Sequence, residues 1–200
     1  MKKKILNNVI YNIKKNNQNI TTEQLEIIEY GLESIYLTTT KIIIIILLSI
    51  VLNIFKETLL MLLFYNIIRL FAFGLHAKNS IACLITSLIL FIGGAYMSIY
   101  LNIGFTIKII LSIICTILIA IYAPADTEKR PLINKKKRQK FKILSIITSI
   151  IMTCLIIYYH DNPITNFMLI GFIESTIMIL PITYKLYGLP YNNYKIYKEI

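Results

Sequence analysis

Histidine occurs only twice in this 200-residue chain, at His76 and His160, and cysteine only three times, at Cys83, Cys115 and Cys154. Three thiols scattered over separate hydrophobic stretches form neither a disulfide framework nor a metal knuckle, and no metal or cofactor is expected. Glycine-rich phosphate loops, internal repeats and energy-coupling motifs are all missing. No small-residue cleavage pattern follows the basic stretch Met1–Lys15, and the next apolar block begins only near Ile42, so the N-terminus does not read as a cleavable signal. Acidic residues are scarce as well, 10 against 21 Lys and Arg, for a net charge of +11. Such a balance suits nucleic acid or an anionic membrane surface, and the placement of the charges decides between them.

What remains is mostly hydrocarbon. Hydrophobic residues make up 56% of the chain, charged ones 16%, and the mean hydropathy is +0.68. The apolar residues fall in blocks at about 42–55, 58–73, 81–101, 105–122, 143–159 and 164–182. Stretches such as IIIIILLSIVLNIF are richer than a half-buried soluble helix needs, and in a bilayer a helix satisfies every backbone amide internally. The expected fold is all-α: a polytopic integral membrane helix bundle with four to six spanning or re-entrant segments. The first two blocks are short for roughly 20 residues of hydrocarbon. Only Lys56-Glu57 divides them, so they read as two tilted helices or one re-entrant hairpin. Ahead of them, TTEQLEIIEYGLESIYL sets Leu25, Ile28, Leu32, Ile35 and Tyr36 on one face and Glu23, Glu26, Glu29 and Glu33 on the other. With Thr21 and Gln24 as a capping box, it predicts an amphipathic N-terminal helix at the membrane surface or against the bundle. The chain thus divides into an interfacial region over 1–40, a transmembrane domain over 41–182 and a cytoplasmic tail over 183–200.

With a cytoplasmic N-terminus, every basic residue except Lys56 and Lys108 falls on the cytoplasmic side. This describes a multi-pass cell-membrane protein with both termini inside. The lysine-rich loop over 123–142 has no aromatic interleaving beyond Phe141. It reads as a topology anchor touching anionic membrane lipid, and no nucleic acid is expected as a partner.

The same topology brings RLFAFGLHAKNSIAC, Arg69 to Cys83, to the cytoplasmic surface. In one straight helix, residues seven apart lie roughly 10 Å apart along the axis, too far for a nucleophile–base hydrogen bond of about 3 Å. HAKNS is a polar interruption, however, and Asn79 or Ser80 is a natural N-cap for the next block. His76 would then lie in a loop able to fold back over the helix start. Cys83 would occupy N3 or N4, where the helix dipole and a neighbouring imidazolium favour a thiolate. These are the parts of a cysteine acyl-transfer enzyme. Against it stands the plainer reading of an inert thiol in a membrane helix and a solvated histidine tip.

Around these residues the chain resembles the AgrB family of bacterial membrane endopeptidases. EIIEYGLESIYL is similar to the family's N-terminal segment, RLFAFGLHAKNSIAC to its core, and YAPADTEKRPL with the following lysines to the segment around its two prolines. Family members often carry two glycines before the histidine; here they are Phe73 and Gly74, leaving Gly74 as the only expected flexible position. The resemblance implies a cysteine endopeptidase that cleaves an AgrD-like precursor peptide and closes it into a thiolactone or lactone autoinducing peptide for quorum sensing. Cys83 would be the nucleophile and His76 its base and acid. Arg69, Gly74 and Ser80 would support substrate binding: Arg69 by stabilising charge or holding the precursor, Gly74 by letting the backbone turn. The resemblance also allows a homodimer.

Other residues read more plainly. Cys115 and Cys154 are expected to be packing residues, and His160 a solvated turn residue. Glu174, in the last block, is expected to pair with Arg69 or Lys108. Asp126 and Glu128 could reach the site from their loop. Pro124 and Pro131 would shape the turn there, and Pro181 would end or kink the last block. The competing class is a non-enzymatic membrane transporter or peptide exporter, for which Glu174, Arg69 and Lys108 could mark a path. The absence of inverted half-length repeats counts against it.

Overall fold

The computed structural model describes residues 10, 13, 20–75, 79–128 and 131–198. The candidate base His76 lies outside them, together with Ala77, Lys78, Lys129, Arg130 and most of the basic N-terminal stretch. The described residues form an all-α membrane helix bundle. Its helices are α1 (Thr22–Val51), α2 (Phe55–Ala72), α3 (Ser80–Tyr100), α4 (Phe105–Tyr122), α5 (Lys135–Tyr158), α6 (Ile164–Ile177) and the short α7 (Pro181–Leu186), followed by a 3-10 turn at Asn193–Lys198.

Two compact units divide the chain, residues 1–48 and 49–200. In the first, the expected capping box is formed: Gln24 N–H donates to Thr21 Oγ1 at 3.3 Å, and Thr21 N–H donates to Gln24 Oε1 at 3.1 Å. From there α1 runs unbroken, so the amphipathic stretch and the first apolar block are one helix.

In the second unit α1 ends with Asn53 in the left-handed region at φ 56°, and Ile54 N–H donates to Ser49 O at 2.9 Å. The turn therefore falls at Leu52–Ile54. Lys56 and Glu57, expected to divide the first two blocks, instead lie in the first turn of α2. Asparagine tolerates the αL conformation that ends a helix, whereas lysine and glutamate are good helix formers.

Three helices, α3, α4 and α5, with 21, 18 and 24 residues, are long and apolar enough to cross a bilayer. Their exposed Ile85, Ile89, Ile117, Ile147 and Ile150 suit contact with lipid. Between helices the contacts are small and polar. Thr116 and Thr153 hydroxyls meet at 3.0 Å, Thr153 donates to Ser112 O at 3.4 Å, and Ser112, Ser145 and Ser149 are fully buried at the α4–α5 seam. Lipid is as apolar as leucine, so close approach and hydrogen bonding, not oil, hold such helices together. A π-helical turn, Ile89–Gly93, interrupts α3. There Phe91 stacks edge-on against Tyr65 of α2 at 5.1 Å.

At the α2–α6 crossing Gly171 leaves no room for a side chain: a Cβ there would lie 3.0 Å from Tyr65 N and 3.2 Å from Phe64 Cβ. Backbone cannot yield as a flexible side chain does, so Gly171→Ala should separate the two helices. Overpacking of this kind costs about 1–3 kcal/mol. Thermal unfolding in detergent is expected to show a lower Tm for Gly171→Ala; an unchanged Tm would mean the crossing is looser than its geometry.

Candidate active site

The helical ladder breaks between α2 and α3. Asn79 is extended, at φ −122° and ψ 158°, and its Oδ1 accepts from Ala82 N–H at 2.7 Å. Of the two expected caps, Asn79 is therefore the N-cap, and the exposed Ser80 is the first helical residue. Cys83 follows at N4, half-buried, with its N–H donating to Asn79 O at 3.0 Å. Among the described residues, helical geometry stops at Ala72 and resumes only at Ser80.

On the other side of the break, Phe73 to Leu75 are held out of helical geometry by partners from three directions. Gly74 N–H donates to Ala125 O at 3.0 Å, and Ala125 N–H donates back to Ala72 O at 2.9 Å. Leu75 N–H donates to Met178 O, beyond the end of α6, at 3.0 Å. Arg69 closes the arrangement: one guanidinium nitrogen donates to Tyr65 OH at 2.7 Å and the other to Leu75 O at 2.9 Å. Leu75 immediately precedes His76, so Arg69 steadies the segment that carries the candidate base. Tyr65, buried, also lies within electrostatic reach of Cys83 and Glu174.

Glycine is required at position 74. Its φ is 117°, and a Cβ would meet Met178 O at 2.9 Å and Arg69 Nη1 at 3.4 Å. Phe73 departs from the expectation that only Gly74 bends. It takes φ 57° and ψ −128°, a region glycine enters freely and other residues enter at a cost of about 1–3 kcal/mol. Its ring packs edge-on against Phe141 of α5 at 4.8 Å, a contact glycine could not make.

Arg69, Phe73 and Gly74 form one wall of a cavity of about 670 Å³. The opposite wall comes from the loop after α4 and the first turns of α5, including Leu132, Lys137 and Phe141. Its lining combines two cations, Arg69 and Lys137, with apolar side chains and the polar Asn66 and Asn134.

Asp126, left open as a reactive group, is structural. It is 3% exposed, and its carboxylate accepts backbone N–H bonds from Leu132 at 3.3 Å, Asn193 at 3.0 Å and Tyr194 at 2.8 Å. Its carbonyl accepts from Tyr184 OH at 2.9 Å, and Arg138 stacks over the Tyr194 ring at 3.7 Å. The segment from α7 to Lys198 is thus latched beside the groove. Tyr187 of the same segment meets Thr86 of α3 at 2.7 Å, one turn beyond Cys83. The signal for this latch is long-range, and a lone aspartate in a loop does not announce it.

Several other expectations change. Glu174 pairs with neither Arg69 nor Lys108. Arg69 is committed to Tyr65 and Leu75, while Lys108 reaches Thr165 Oγ1 at 2.6 Å. One Glu174 oxygen is buried with no hydrogen-bond partner among the described residues, and Gly94 accommodates the other. Cys115 is buried as expected, but Cys154 is exposed on α5 and packs nothing inside. His160 is an exposed turn residue, as expected, its Nε2 3.0 Å from Asp161. Pro181 starts α7 after α6 has ended.

Two tests address the latch. In Asp126→Asn the amide nitrogen would face backbone N–H donors, so tryptic cleavage at Lys195 should accelerate about ten-fold or more, the loss expected for one charge-assisted hydrogen bond. Wild-type cleavage would show that the tail is held otherwise. Burial also pushes the Tyr191 hydroxyl up to about 12 and raises that of Tyr184. A hydroxyl held neutral contributes to tail docking below pH 10, its ordinary value, and that contribution fades as pH rises through about 12. Tyrosinate absorbance should therefore lose a transition near pH 12 in Tyr191→Phe.

Residues 6–179 match the family model described as Accessory gene regulator B. An AgrB-like protein of Clostridium acetobutylicum is 37% identical over 182 residues, which is 90% of this chain and 87% of that protein. The accessory gene regulator protein B of Staphylococcus aureus is 39% identical over 155 residues, 78% of this chain and 82% of its own length. An AgrB-like protein of Listeria innocua is 32% identical over 173 residues, covering 86% and 84%. No solved structure matches the chain.

Proposed function

The chain belongs to the accessory gene regulator B family, and from that footing we propose that it is a membrane cysteine endopeptidase that matures a quorum-sensing peptide. Its substrate is an AgrD-like precursor, lying in the membrane surface with its C-terminal part along the groove between Arg69 and Lys137. The observation that carries this reading is the break in the ladder at Asn79. It lets a residue in the preceding loop approach the first turn of α3, where a continuous helix would hold His76 and Cys83 roughly 10 Å apart.

His76 takes the Cys83 proton, and the thiolate attacks the scissile carbonyl. The tetrahedral intermediate collapses with cleavage of the C–N bond, and His76 returns the proton to the departing amine. An internal thiol or hydroxyl of the precursor then attacks the thioester, giving a thiolactone or lactone and restoring the Cys83 thiol. Water excluded from the interface limits hydrolysis. Arg69 acts as a positioning residue through its bond to Leu75 O, and Gly74 permits the close passage of Met178 O. We place the active site and both termini on the cytoplasmic side, because the positive-inside rule gathers the Lys and Arg residues of the sequence there, and the lysine-rich start of α5 borders the cavity beside Arg69.

Mass spectrometry of precursor co-expressed with the protein tests the reading. Wild type should yield the truncated, cyclised peptide, and Cys83→Ala should yield only intact precursor. Normal processing by Cys83→Ala would end it. Arg69→Lys keeps the charge but loses the two-pronged geometry, so processing should fall by about 10- to 100-fold, in keeping with small misplacements of catalytic groups.

A further inference from the structure

A second cavity, of about 580 Å³, opens at the other end of the bundle, about 22 Å along α3 from Cys83 at 1.5 Å per residue. Glu57 of α2, Ser98 at the end of α3, Lys108 of α4, Asp161 in the turn after α5 and Asn166 of α6 line it. None of them serves the site around Cys83.

Its polar groups are arranged for a guest. Lys108 is 6% exposed, and its ammonium donates to two neutral acceptors, Thr165 Oγ1 at 2.6 Å and, more weakly, His160 O at 3.4 Å. An ammonium carries three donors, so among the described residues one N–H remains for an incoming acceptor. Asp161 lies within electrostatic reach of Lys108, but its side chain is 91% exposed and turns one carboxylate oxygen toward His160 Nε2 at 3.0 Å. Asn166 supplies the complement. Its Nδ2 donates to Ser98 O at 3.2 Å and Leu101 O at 3.0 Å, and these two carbonyls fix the orientation of the amide. Its Oδ1 is buried with no hydrogen-bond partner among the described residues. The cavity therefore offers a buried cation to an anion, and an orphaned acceptor with the Glu57 carboxylate to a hydrogen-bond donor.

Aromatic side chains mark the depth. Tyr100 is 74% exposed and Tyr158 76%, with exposed Phe105 and Tyr159 at the same end. Such a belt sits at the headgroup level of a bilayer. We propose that this cavity binds the headgroup of a phospholipid bearing a primary ammonium, of the phosphoethanolamine type. The phosphate meets Lys108, and the ammonium donates to Glu57 and Asn166 Oδ1. A purely anionic headgroup would leave Glu57 and the Asn166 acceptor unmatched, and the quaternary ammonium of choline has no N–H to give.

The test uses the full chain purified in detergent and offered phosphatidylethanolamine and phosphatidylcholine of identical acyl chains, with retained lipid counted by native mass spectrometry. Wild type should favour phosphatidylethanolamine about ten-fold, the ratio expected for one charge-assisted hydrogen bond. Lys108→Met should lose retention of both lipids, and Glu57→Gln should bring the two lipids toward parity. Equal retention by wild type, or wild-type retention by Lys108→Met, would overturn the proposal. If Lys108→Met does not fold, Glu57→Gln decides, since an undiminished preference in that variant is equally fatal. Glycerophosphoethanolamine in excess, the same headgroup without acyl chains, should leave the retained lipid in place. Displacement by it would assign the cavity to a soluble ligand instead and also overturn the proposal.

Discussion

Where a chain leaves helical geometry inside a membrane bundle, every backbone amide it frees must find a new partner, because an unpaired one in hydrocarbon costs several kcal/mol. Phe73 to Leu75 meet that constraint with partners drawn from across the fold. The loop after α4 supplies Ala125, the segment after α6 supplies Met178, and Arg69 reaches forward from the last turn of α2 to Leu75 O. If one of these were lost, the segment would have to return to helix or admit water. Much of the second unit thus converges on three residues.

The consequences spread outward. Gly74 is glycine because Met178 O passes too close for a side chain, and Phe73 holds a left-handed conformation stabilised by packing on Phe141. Tyr65, which anchors the Arg69 guanidinium, is itself held by Phe91 in the π-helical turn of α3. Such turns recur at functional sites; here the turn lies two helical turns from Cys83, on the same helix. The groove beside Arg69 exists because the broken segment and the start of α5 stand apart, with Asp126 bracing both the loop and the C-terminal segment.

What could be read from residue order was local. The Thr21–Gln24 capping box, the Asn79 cap, the position of Cys83 in the first turn and the membrane character of α3 to α5 all rest on patterns within a few residues, and those patterns hold in the structure. The turn between α1 and α2 lies at Asn53, three residues before the Lys56-Glu57 pair, because asparagine tolerates αL while lysine and glutamate continue a helix. Glu174 was expected to find a cation, yet the geometry of α6 turns it toward Gly94 while Arg69 and Lys108 satisfy neutral acceptors at opposite ends. The Asp126 latch joins positions 67 and 68 residues apart and was invisible for that reason. Tyr65 has no local signal, since a tyrosine in an apolar helix looks like packing until Arg69 is placed against its hydroxyl.

The account turns on whether the break between α2 and α3 brings position 76 to Cys83 within one chain. Cysteine pairing reads this directly, since a disulfide requires Cα atoms about 4.4–6.8 Å apart. With Cys115→Ser and Cys154→Ser removing the other thiols, His76→Cys should link to Cys83 rapidly under mild oxidation, giving a cross-linked peptide from monomeric protein. Failure to link, or linkage only between two chains, would contradict the account.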